Sequence, residues 1–395
     1  MKIVYISSLK IKGISGGSIE AAKIHLSLKK LAQKDQNIDY QVISLDKNIS
    51  FKSDINISKS QAKNFLTRFF LHSNYIYIEW LKIRKKVLNL DADIIILGNS
   101  RMGFIAKEIK KNNDEIFIIG HFDNIELDYL KAYSLAYNSF KAKLFKFIES
   151  KAVRRDEKMF NDNIDLGLFL TERDLIRAKK LYDFKGDYRI LGVCLNKIDY
   201  SLKAANNYDL NLIFLASLWY GSNIEAIKWF LNNVWSEINK LDYDLQLIIG
   251  GSNPSHNFLK YLGAVKNVKV YPNFKNKENI IPKNSVFISP IQTGSGMKVK
   301  VAEALSMGLA VIASQESLIG YEEAINDQEN KAIINEVRTA SEYIDKIKKQ
   351  IDLNNIKQIR KRAKLLFNKY YSMQRAAAAI ESIINNIKIE KYQSR

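Results

Sequence analysis

Short, nearly continuous apolar runs alternate with longer segments of helical periodicity along the whole chain. Consecutive apolar positions are typical of parallel strands covered on both faces, whereas an apolar residue at every third or fourth position indicates a helix packed on such a sheet. We expect strands at 2–7, 40–45, 92–97, 115–120, 166–171, 210–217, 245–250, 268–271, 285–289 and 309–314. Helices are predicted at 18–34, 101–112, 172–183, 222–240 and 297–307.

The alternation of strands and helices occurs twice, which predicts an α/β protein with two doubly wound parallel sheets. The length of 395 residues agrees, because one ordinary core does not reach that size. Ligands of open parallel sheets bind outside the carboxyl ends of the strands, so we expect a cleft where those ends of the two sheets meet. The predicted parts are an N-terminal domain at 1–191, a linker at 192–209, a second domain at 210–370 and a C-terminal helix at 371–395 that crosses back to the N-terminal domain.

Composition narrows the class of protein and its partners. A hydrophobic content of 47% describes a globular chain, and the single cysteine, Cys194, excludes an intramolecular disulfide and suits a reducing cytoplasm. The net charge of +19 fits nucleic acid, anionic lipid or phosphorylated small molecules, or else only a Lys/Asn/Ile-rich composition. No nucleic-acid-binding module is recognised, so nucleic acid is not an expected partner. Without a spanning segment or signal peptide, we expect a cytoplasmic protein, soluble or peripheral on the inner face of the cell membrane.

The most informative stretch is GSGMKVKVAEALSMGLAVIAS at 294–314. A predicted strand precedes it, so the glycines lie in a strand-to-helix loop at the carboxyl edge of the sheet. Such a loop can point several backbone N–H groups in one direction, and the helix N-terminus adds its positive end, which together favour an anion. Lys298 and Lys300 lie beside this loop but are two positions apart, so only one of them can share a helix face with its tip.

The chemistry of this loop differs from that of common phosphate sites. It does not match GxxxxGK[ST], and no DxD-like acidic pair lies in a suitable loop to hold a metal ion. We therefore expect a pyrophosphate to be neutralised by backbone N–H groups and lysine, with Glu303 accepting hydrogen bonds from ribose hydroxyls. The alternative is an ordinary glycine turn with two solvated lysines and a surface glutamate.

Residues 212–238, followed by 290–314, resemble the nucleotide-sugar-binding domain of GT-B glycosyltransferases, in particular the retaining bacterial enzymes of group 1 or family 4. The resemblance is strong over 210–325 and looser in the N-terminal half, where it rests on GISGGSIEAAKIHLSLKKLA and HFDN. It implies two Rossmann-like domains facing a central cleft. It also implies transfer of a hexose from a UDP- or GDP-linked sugar to a glycan, lipid-linked or protein acceptor in bacterial surface polysaccharide or glycoconjugate synthesis, without metal or other cofactor.

The resemblance also implies roles for particular residues. Lys298 would stabilise charge on the leaving diphosphate, and His121 would orient a donor hydroxyl or the acceptor. Many relatives carry a Glu-x7-Glu pair, but Ser295 stands in the first position here, as in a subgroup with a Gly-Ser-Gly loop. The expected donor-binding residues are Gly16, Gly17, Asn273, Phe274, Thr293, Gly294, Ser295, Gly296, Met297, Lys298, Lys300 and Glu303.

Two segments of the N-terminal half, 62–87 and 129–155, mix aromatic, leucine and basic residues in helical stretches. Such helices can lie on an anionic membrane surface, which would suit a lipid-linked acceptor, or they can simply pack on the sheet. Alternatives to a transferase are a GT-B epimerase and a non-catalytic GT-B subunit that stabilises a partner glycosyltransferase or binds an acceptor protein. A Rossmann dehydrogenase is disfavoured, because GISGGS is not GxGxxG.

Overall fold

A computed structural model describes residues 1–11, 15–45, 55–133, 140–198, 200–352 and 355–393. The chain forms two compact units, and each is a parallel sheet with helices, so the predicted α/β fold is confirmed. The first unit comprises Met1–Cys194 and Met373–Arg395, and the second comprises Leu195–Ser372. The segment predicted as a linker, 192–209, therefore belongs to the second unit from Leu195 onward.

The first unit contains a seven-stranded sheet of order β3-β2-β1-β4-β5-β6-β7 in which all neighbouring strands are parallel. Its strands are β1 (Lys2–Ile6), β2 (Asp39–Ser44), β3 (Ile55–Asn56), β4 (Ile94–Leu97), β5 (Phe117–Phe122), β6 (Leu166–Phe169) and β7 (Asp187–Ile190). Its helices are α1 (Gly16–Lys34), α2 (Gln61–Phe69), α3 (Ile76–Leu88), α4 (Gly103–Asn112), α5 (Glu126–Tyr133), α6 (Phe140–Asn163), α7 (Glu172–Tyr182) and, at the end of the chain, α15 (Met373–Gln393).

The second unit contains a six-stranded parallel sheet of order β10-β9-β8-β11-β12-β13. Its strands are β8 (Leu210–Leu215), β9 (Leu245–Gly251), β10 (Val268–Pro272), β11 (Ser285–Ser289), β12 (Ala310–Ser314) and β13 (Ile334–Val337). Its helices are α8 (Gly221–Phe230), α9 (Ser236–Ile238), α10 (His256–Gly263), α11 (Val299–Ser306), α12 (Glu322–Ile325), α13 (Ala340–Asp352) and α14 (Ile356–Tyr370).

The apolar runs of the strands supply both faces of each sheet. In β1, Val4 packs in one core cluster of the first unit while Ile3 and Tyr5 pack in the other. Burial on two faces explains why these strands are apolar at consecutive positions. The last helix belongs to the second of these clusters through Ile380 and Ile384, so it covers the same side of the sheet as α1.

Three strands have no apolar run of their own. All four residues of β7 are exposed at the sheet edge, β3 has only two residues, and β13 carries Asn335 and Glu336 in its middle. An edge strand is held by backbone hydrogen bonds on one side and needs no apolar side chains. Its sequence therefore need not contain the apolar run by which strands are predicted. The helix predicted at 297–307 begins later, at Val299, because Lys298 still has extended backbone angles.

We predict that Gly103→Ala destabilises the first unit. A Cβ atom at Gly103, where α4 begins, would lie 2.0 Å from the carbonyl oxygen of Asp156 and 2.4 Å from the backbone nitrogen of Phe160. Since backbone atoms of α6 cannot yield without moving that helix, the free energy of unfolding should fall by about 2–3 kcal/mol, which a thermal melt followed by circular dichroism measures.

The matched control is Gly221→Ala at the start of α8, where an added Cβ would meet no atom within 4 Å. Its effect should stay within about 0.5 kcal/mol. Equal melting temperatures for the two variants would contradict the close packing of α4 on α6.

Candidate functional site

The glycine loop joins β11 to α11 at the carboxyl edge of the second sheet. Gly296 has φ +61°, in the left-handed region that favours glycine. A Cβ atom at Gly294 would lie 3.0 Å from Lys298 Nζ and 3.5 Å from Glu316 Oε1, so glycine at this position leaves the room that the ion pair occupies. The Gly-Ser-Gly sequence is thus explained by the conformation of the loop and by its close approach to Lys298.

Lys298 folds back onto its own loop. Its Nζ donates to the carbonyl oxygens of Ser295 and Gly296, each at 3.1 Å, and lies 3.1 Å from Glu316 Oε1. The side chains of Lys298 and Glu316 are only 12% and 17% exposed. The ammonium group is therefore held at the loop by three oxygen atoms, and an anion bound there would compete with Glu316 for it.

Buried serine hydroxyls fix the position of Glu316. Ser317 Oγ donates to the carbonyl oxygen of Ser289 at 2.8 Å, and Ser314 Oγ donates to the carbonyl oxygen of Ile291 and lies 3.1 Å from Ser317 Oγ. All three serines are at most 3% exposed. These bonds tie the loop after β11 to the turn after β12, which carries Glu316.

Tyr321 fixes the start of α11. Its hydroxyl donates to the carbonyl oxygen of Lys298 at 2.8 Å and accepts the N–H of Ala302 at 3.0 Å, and the whole side chain is buried. A backbone N–H of the first helical turn thereby gains a partner that the helix itself does not supply. The sequence alone does not distinguish a tyrosine with this role from an ordinary core tyrosine.

Lys300 has a different partner from Lys298. Its Nζ donates to Asn223 Oδ1 at 2.9 Å and lies 5.4 Å from the ring centroid of Phe214. Asn223 Nδ2 in turn donates to the carbonyl oxygen of Ser217 at 2.9 Å, which directs the amide oxygen toward Lys300. Burial and the neighbouring Lys298 lower the pKa of Lys300 to about 7, although Glu303 opposes the change. The charge of Lys300 therefore responds to anions and to pH.

Glu303 lies further along α11 and pairs with Lys277 at 2.7 Å, with both side chains about one quarter exposed. The carboxylate of Glu303 also interacts electrostatically with Tyr200. Burial, Glu303 and Glu278 together raise the pKa of Tyr200 to about 12, so the phenol stays neutral. Glu303 is thus oriented by one cation while keeping surface that a hydroxyl ligand could reach.

The loop after β10 holds Asn273 and Phe274. Asn273 has φ +51°; its N–H donates to the carbonyl oxygen of Gly251 at 2.7 Å and its Oδ1 accepts the N–H of Asn253 at 2.8 Å. A Cβ atom at Gly250 would lie 2.8 Å from Phe274 Cε1, so the glycine admits the ring against the strand end. Of the remaining predicted residues, Thr293 is exposed and the side chain of Met297 is buried.

The first unit holds the other predicted residues. His121 lies in β5 and is 1% exposed; its Nδ1 lies 2.9 Å from Asp123 Oδ1, and its Nε2 lies 3.4 Å from Glu20 Oε2. Gly16 and Gly17 begin α1. A Cβ atom at Gly17 would lie 3.4 Å from Asp123 Oδ2, so the helix start and the histidine cluster are neighbours.

Burial and neighbouring charges shift the pKa values of this cluster: burial, together with Glu20 and Glu126, raises the pKa of Asp123 although His121 opposes the change. Burial works against a charged His121, but the neighbouring carboxylates of Asp123 and Glu20 raise its pKa overall. Glu20 also pairs with Lys23, and Lys23 and His121 lower the pKa of Glu20 despite its burial. Lys23 Nζ donates as well to the carbonyl oxygen of Leu191 at 3.1 Å. His121 therefore lies between two carboxylates that favour its charged form, and it is not an isolated core residue.

The sequence did not indicate several of these partners. Within the part of the chain that the structure describes, no group of three or more His, Cys, Asp or Glu side chains is arranged to hold a metal ion. Each unit carries its own set of predicted residues, and all of the partners named here except Asp123 are distant in sequence from the residue they contact. The partners that sequence reasoning missed are Glu20, Asp123, Asn223, Lys277, Glu316 and Tyr321.

Comparison with known proteins shows which families and folds the chain is similar to. Residues 209–352 match the profile of the family described as glycosyl transferases group 1. A Klebsiella pneumoniae protein, described as an uncharacterized 44.6 kDa protein in the cps region, is 25% identical over 236 residues. That alignment covers 55% of this chain and 54% of the relative, so the chain matches about half the length of that protein.

Solved structures share the fold along almost the whole chain. Sucrose-phosphate synthase from Thermosynechococcus elongatus has a TM-score of 0.64 at 13% identity, covering 98% of this chain and 99% of its own. A glycosyltransferase from Rickettsia africae has a TM-score of 0.61 at 15% identity, covering 98% of both chains. HepE from Anabaena, solved with UDP-glucose, has a TM-score of 0.58 at 10% identity, covering 98% and 100%. These likenesses show a fold shared with glycosyltransferase structures, and residues 209–352 match a glycosyltransferase profile.

We predict that the affinity of the glycine loop for pyrophosphate falls as the pH rises above 7. The pKa of Lys300 is about 7 in the free protein, so the ammonium form that an anion favours is lost above that value. Between pH 6.5 and pH 8.5, isothermal titration calorimetry should show an affinity loss about tenfold larger for the wild type than for Lys300→Met. The variant controls for titration of pyrophosphate itself, and identical pH profiles would contradict a titrating Lys300.

Proposed function

We propose that this protein is a retaining glycosyltransferase that transfers a hexose from a UDP- or GDP-linked sugar to a glycan or lipid-linked acceptor, without a metal ion. The observation that carries the proposal is the Gly294–Lys298 loop. Its Gly-Ser-Gly turn and Lys298, with Lys300 in the helix that follows, lie at the carboxyl edge of a parallel sheet, where such folds bind ligands. The match of residues 209–352 to group 1 glycosyltransferases supports the same assignment.

The loop would act on the leaving group. As the bond between sugar and diphosphate breaks, negative charge grows on the phosphate oxygens and the anomeric carbon gains oxocarbenium character. Backbone N–H groups of the loop and the Lys298 ammonium would stabilise this charge more in the transition state than in the ground state, which accelerates transfer. The departing phosphate would accept the proton of the acceptor hydroxyl, so no separate base is needed.

The two lysines would contribute in different ways. Lys298 would exchange Glu316 for a phosphate oxygen when the donor binds. Lys300 has a pKa of about 7, and a nearby phosphate would raise that pKa and keep the ammonium group protonated. Binding of the donor would thus assemble a stronger positive site than the free protein holds.

Other residues would orient the donor and acceptor. Glu303 would accept hydrogen bonds from the ribose hydroxyls, and Asn273 and Phe274 would meet the nucleobase. In the first unit, Gly16 and Gly17 would allow the backbone to approach the donor, and His121, held by Asp123 and Glu20, would orient a sugar hydroxyl or the acceptor. The carboxylates would preserve the charge and orientation of the imidazole during transfer.

The proposed setting is synthesis of a bacterial surface polysaccharide or glycoconjugate in the cytoplasm, at the inner face of the cell membrane. The Klebsiella pneumoniae relative described as lying in the cps region supports this setting. Among the helices that the structure describes, none is long and apolar enough to cross a membrane. We therefore propose that contact with a lipid-linked acceptor is peripheral.

A thermal-shift panel tests the proposal. UDP, GDP, dTDP and CMP are added with and without Mg²⁺ to the wild type, to Lys298→Ala and to Lys240→Ala, which removes an exposed lysine of the second unit. One nucleoside diphosphate should raise the melting temperature of the wild type and of Lys240→Ala without Mg²⁺, because a ligand at a hundredfold excess over Kd stabilises the folded state by about 2.7 kcal/mol. The same nucleotide should raise the melting temperature of Lys298→Ala far less.

Three results would contradict parts of this proposal. A shift that requires Mg²⁺ would overturn metal independence. An equal shift for Lys298→Ala would remove the glycine loop from the donor site. If no nucleotide shifts the wild type, the chain is better described as a non-catalytic subunit that supports a partner glycosyltransferase.

A further inference from the structure

Helix α2 presents its apolar side chains outward. Of its nine residues only Thr67 is buried, while Phe65, Leu66 and Phe69 are 58%, 49% and 71% exposed. Phe65 and Phe69 lie one turn apart with their ring centroids separated by 5.4 Å, so they form one aromatic ridge. A helix of a soluble domain normally turns this face toward the core.

The exposed surface continues beyond α2. Phe70 and Leu71, which follow the helix, are 53% and 43% exposed, and Phe145 and Phe147 in the first half of α6 are 49% and 57% exposed. Phe145 and Phe147 are two positions apart on α6, so only Phe147 shares a side of the helix with Lys151. We name the residues 65–71 together with Phe147 the α2–α6 face. Isolated exposed apolar residues are ordinary, but several aromatic rings on two neighbouring helices mark an interaction surface.

Ion pairs and hydrogen bonds hold the two helices of this face together. Arg68 pairs with Glu149, and its second nitrogen donates to the same carboxylate at 2.9 Å. Arg101 also donates to Glu149 at 3.0 Å, and Arg155 donates to the carbonyl oxygen of Phe70 at 3.1 Å. The outward position of the phenylalanines is therefore built into the fold by partly buried polar contacts.

The charge of the surface is of one sign. Within 61–71 and 145–155 the sole acidic residue is Glu149, which is buried by its arginines, whereas the exposed charged side chains are Lys151, Arg154 and Arg155. The Lys151 ammonium lies 4.4 Å from the ring centroid of Phe147, so cation and aromatic ring are adjacent. Exposed aromatic rings beside exposed cations are typical of surfaces that enter the headgroup region of an anionic bilayer.

We propose that the α2–α6 face is a docking surface for an anionic lipid bilayer, with the phenylalanines inserted at the interface and the basic side chains on the lipid headgroups. A second copy of this chain is a poorer occupant, because two such faces would bring like charges together. The proposal rests on the proposed function only for its purpose, which is to hold the first unit at the membrane where a lipid-linked acceptor lies.

Vesicle co-sedimentation tests this surface. We expect the wild type to bind vesicles of 3:1 phosphatidylcholine to phosphatidylglycerol, and to bind pure phosphatidylcholine vesicles at least about tenfold more weakly. Phe65→Ser/Phe69→Ser should lower binding to the anionic vesicles by about tenfold or more, because the variant lacks the two aromatic rings whose burial in the bilayer interface favours binding. Lys151→Gln/Arg154→Gln should lower it by about fivefold for each charge and reduce its salt dependence.

The matched control is Ile176→Ser on α7, which removes an apolar side chain that is 60% exposed elsewhere on the same unit. It should bind vesicles as the wild type does. Equal binding of the wild type to neutral and anionic vesicles, full binding by Phe65→Ser/Phe69→Ser, or no vesicle binding at all would overturn the proposal. A dimer that this double variant converts to monomers, without vesicle binding, would assign the face to self-association.

Nucleotide thermal shifts on the same variants separate the two proposals. The Phe65→Ser/Phe69→Ser variant should keep the wild-type nucleotide response while it loses vesicle binding. If the wild type shows no thermal shift with any nucleotide, that result counts against the proposed function. The docking surface is then still tested separately by vesicle binding.

Discussion

The Lys298 ammonium enclosed by its own loop is the interaction on which the second unit's site depends. A lysine that is largely removed from water needs compensating oxygen atoms, and the carbonyls of Ser295 and Gly296 together with Glu316 supply them. A glycine at 294 suits this arrangement, because a Cβ atom there would lie only 3.0 Å from the ammonium nitrogen and would crowd it. The serine network and Tyr321 then fix the two backbone segments that bring the pair together.

The first unit solves a similar problem around His121. Four ionisable side chains, Glu20, Lys23, His121 and Asp123, are almost fully buried; Glu20 lies beside Lys23 and His121, and His121 lies beside Asp123. Because isolated charges in such a place would be neutralised, the cluster persists only as a set. In both units, therefore, neighbouring side chains fix the positions of polar groups at the carboxyl edge of a parallel sheet. These neighbours do not have to contact a ligand themselves.

The sequence allowed the architecture and the glycine loop before Lys298 to be predicted, because both follow from local patterns of residues along the chain. Ten of the strands follow apolar runs, and the Gly-Ser-Gly turn before Lys298 signals a strand-to-helix loop. The polar edge strand β7 left no such signal, since all of its side chains face solvent.

The partners of the site residues could not be predicted, because nothing local specifies them. Glu316 lies 18 residues from Lys298, and Asn223 lies 77 residues from Lys300. Only the parallel order of the strands brings their loops to one edge. The depressed pKa of Lys300 belongs to the same category, since it arises from burial and from Lys298 in the folded protein.

The most direct measurement is a crystal structure of the protein with UDP bound. The account predicts phosphate oxygens within hydrogen-bond distance of Lys298 Nζ and of the Gly294–Met297 backbone, with Glu316 more than about 4 Å from the ammonium. A structure in which the diphosphate lies elsewhere while Lys298 and Glu316 remain paired would contradict the claim that this loop is the donor site.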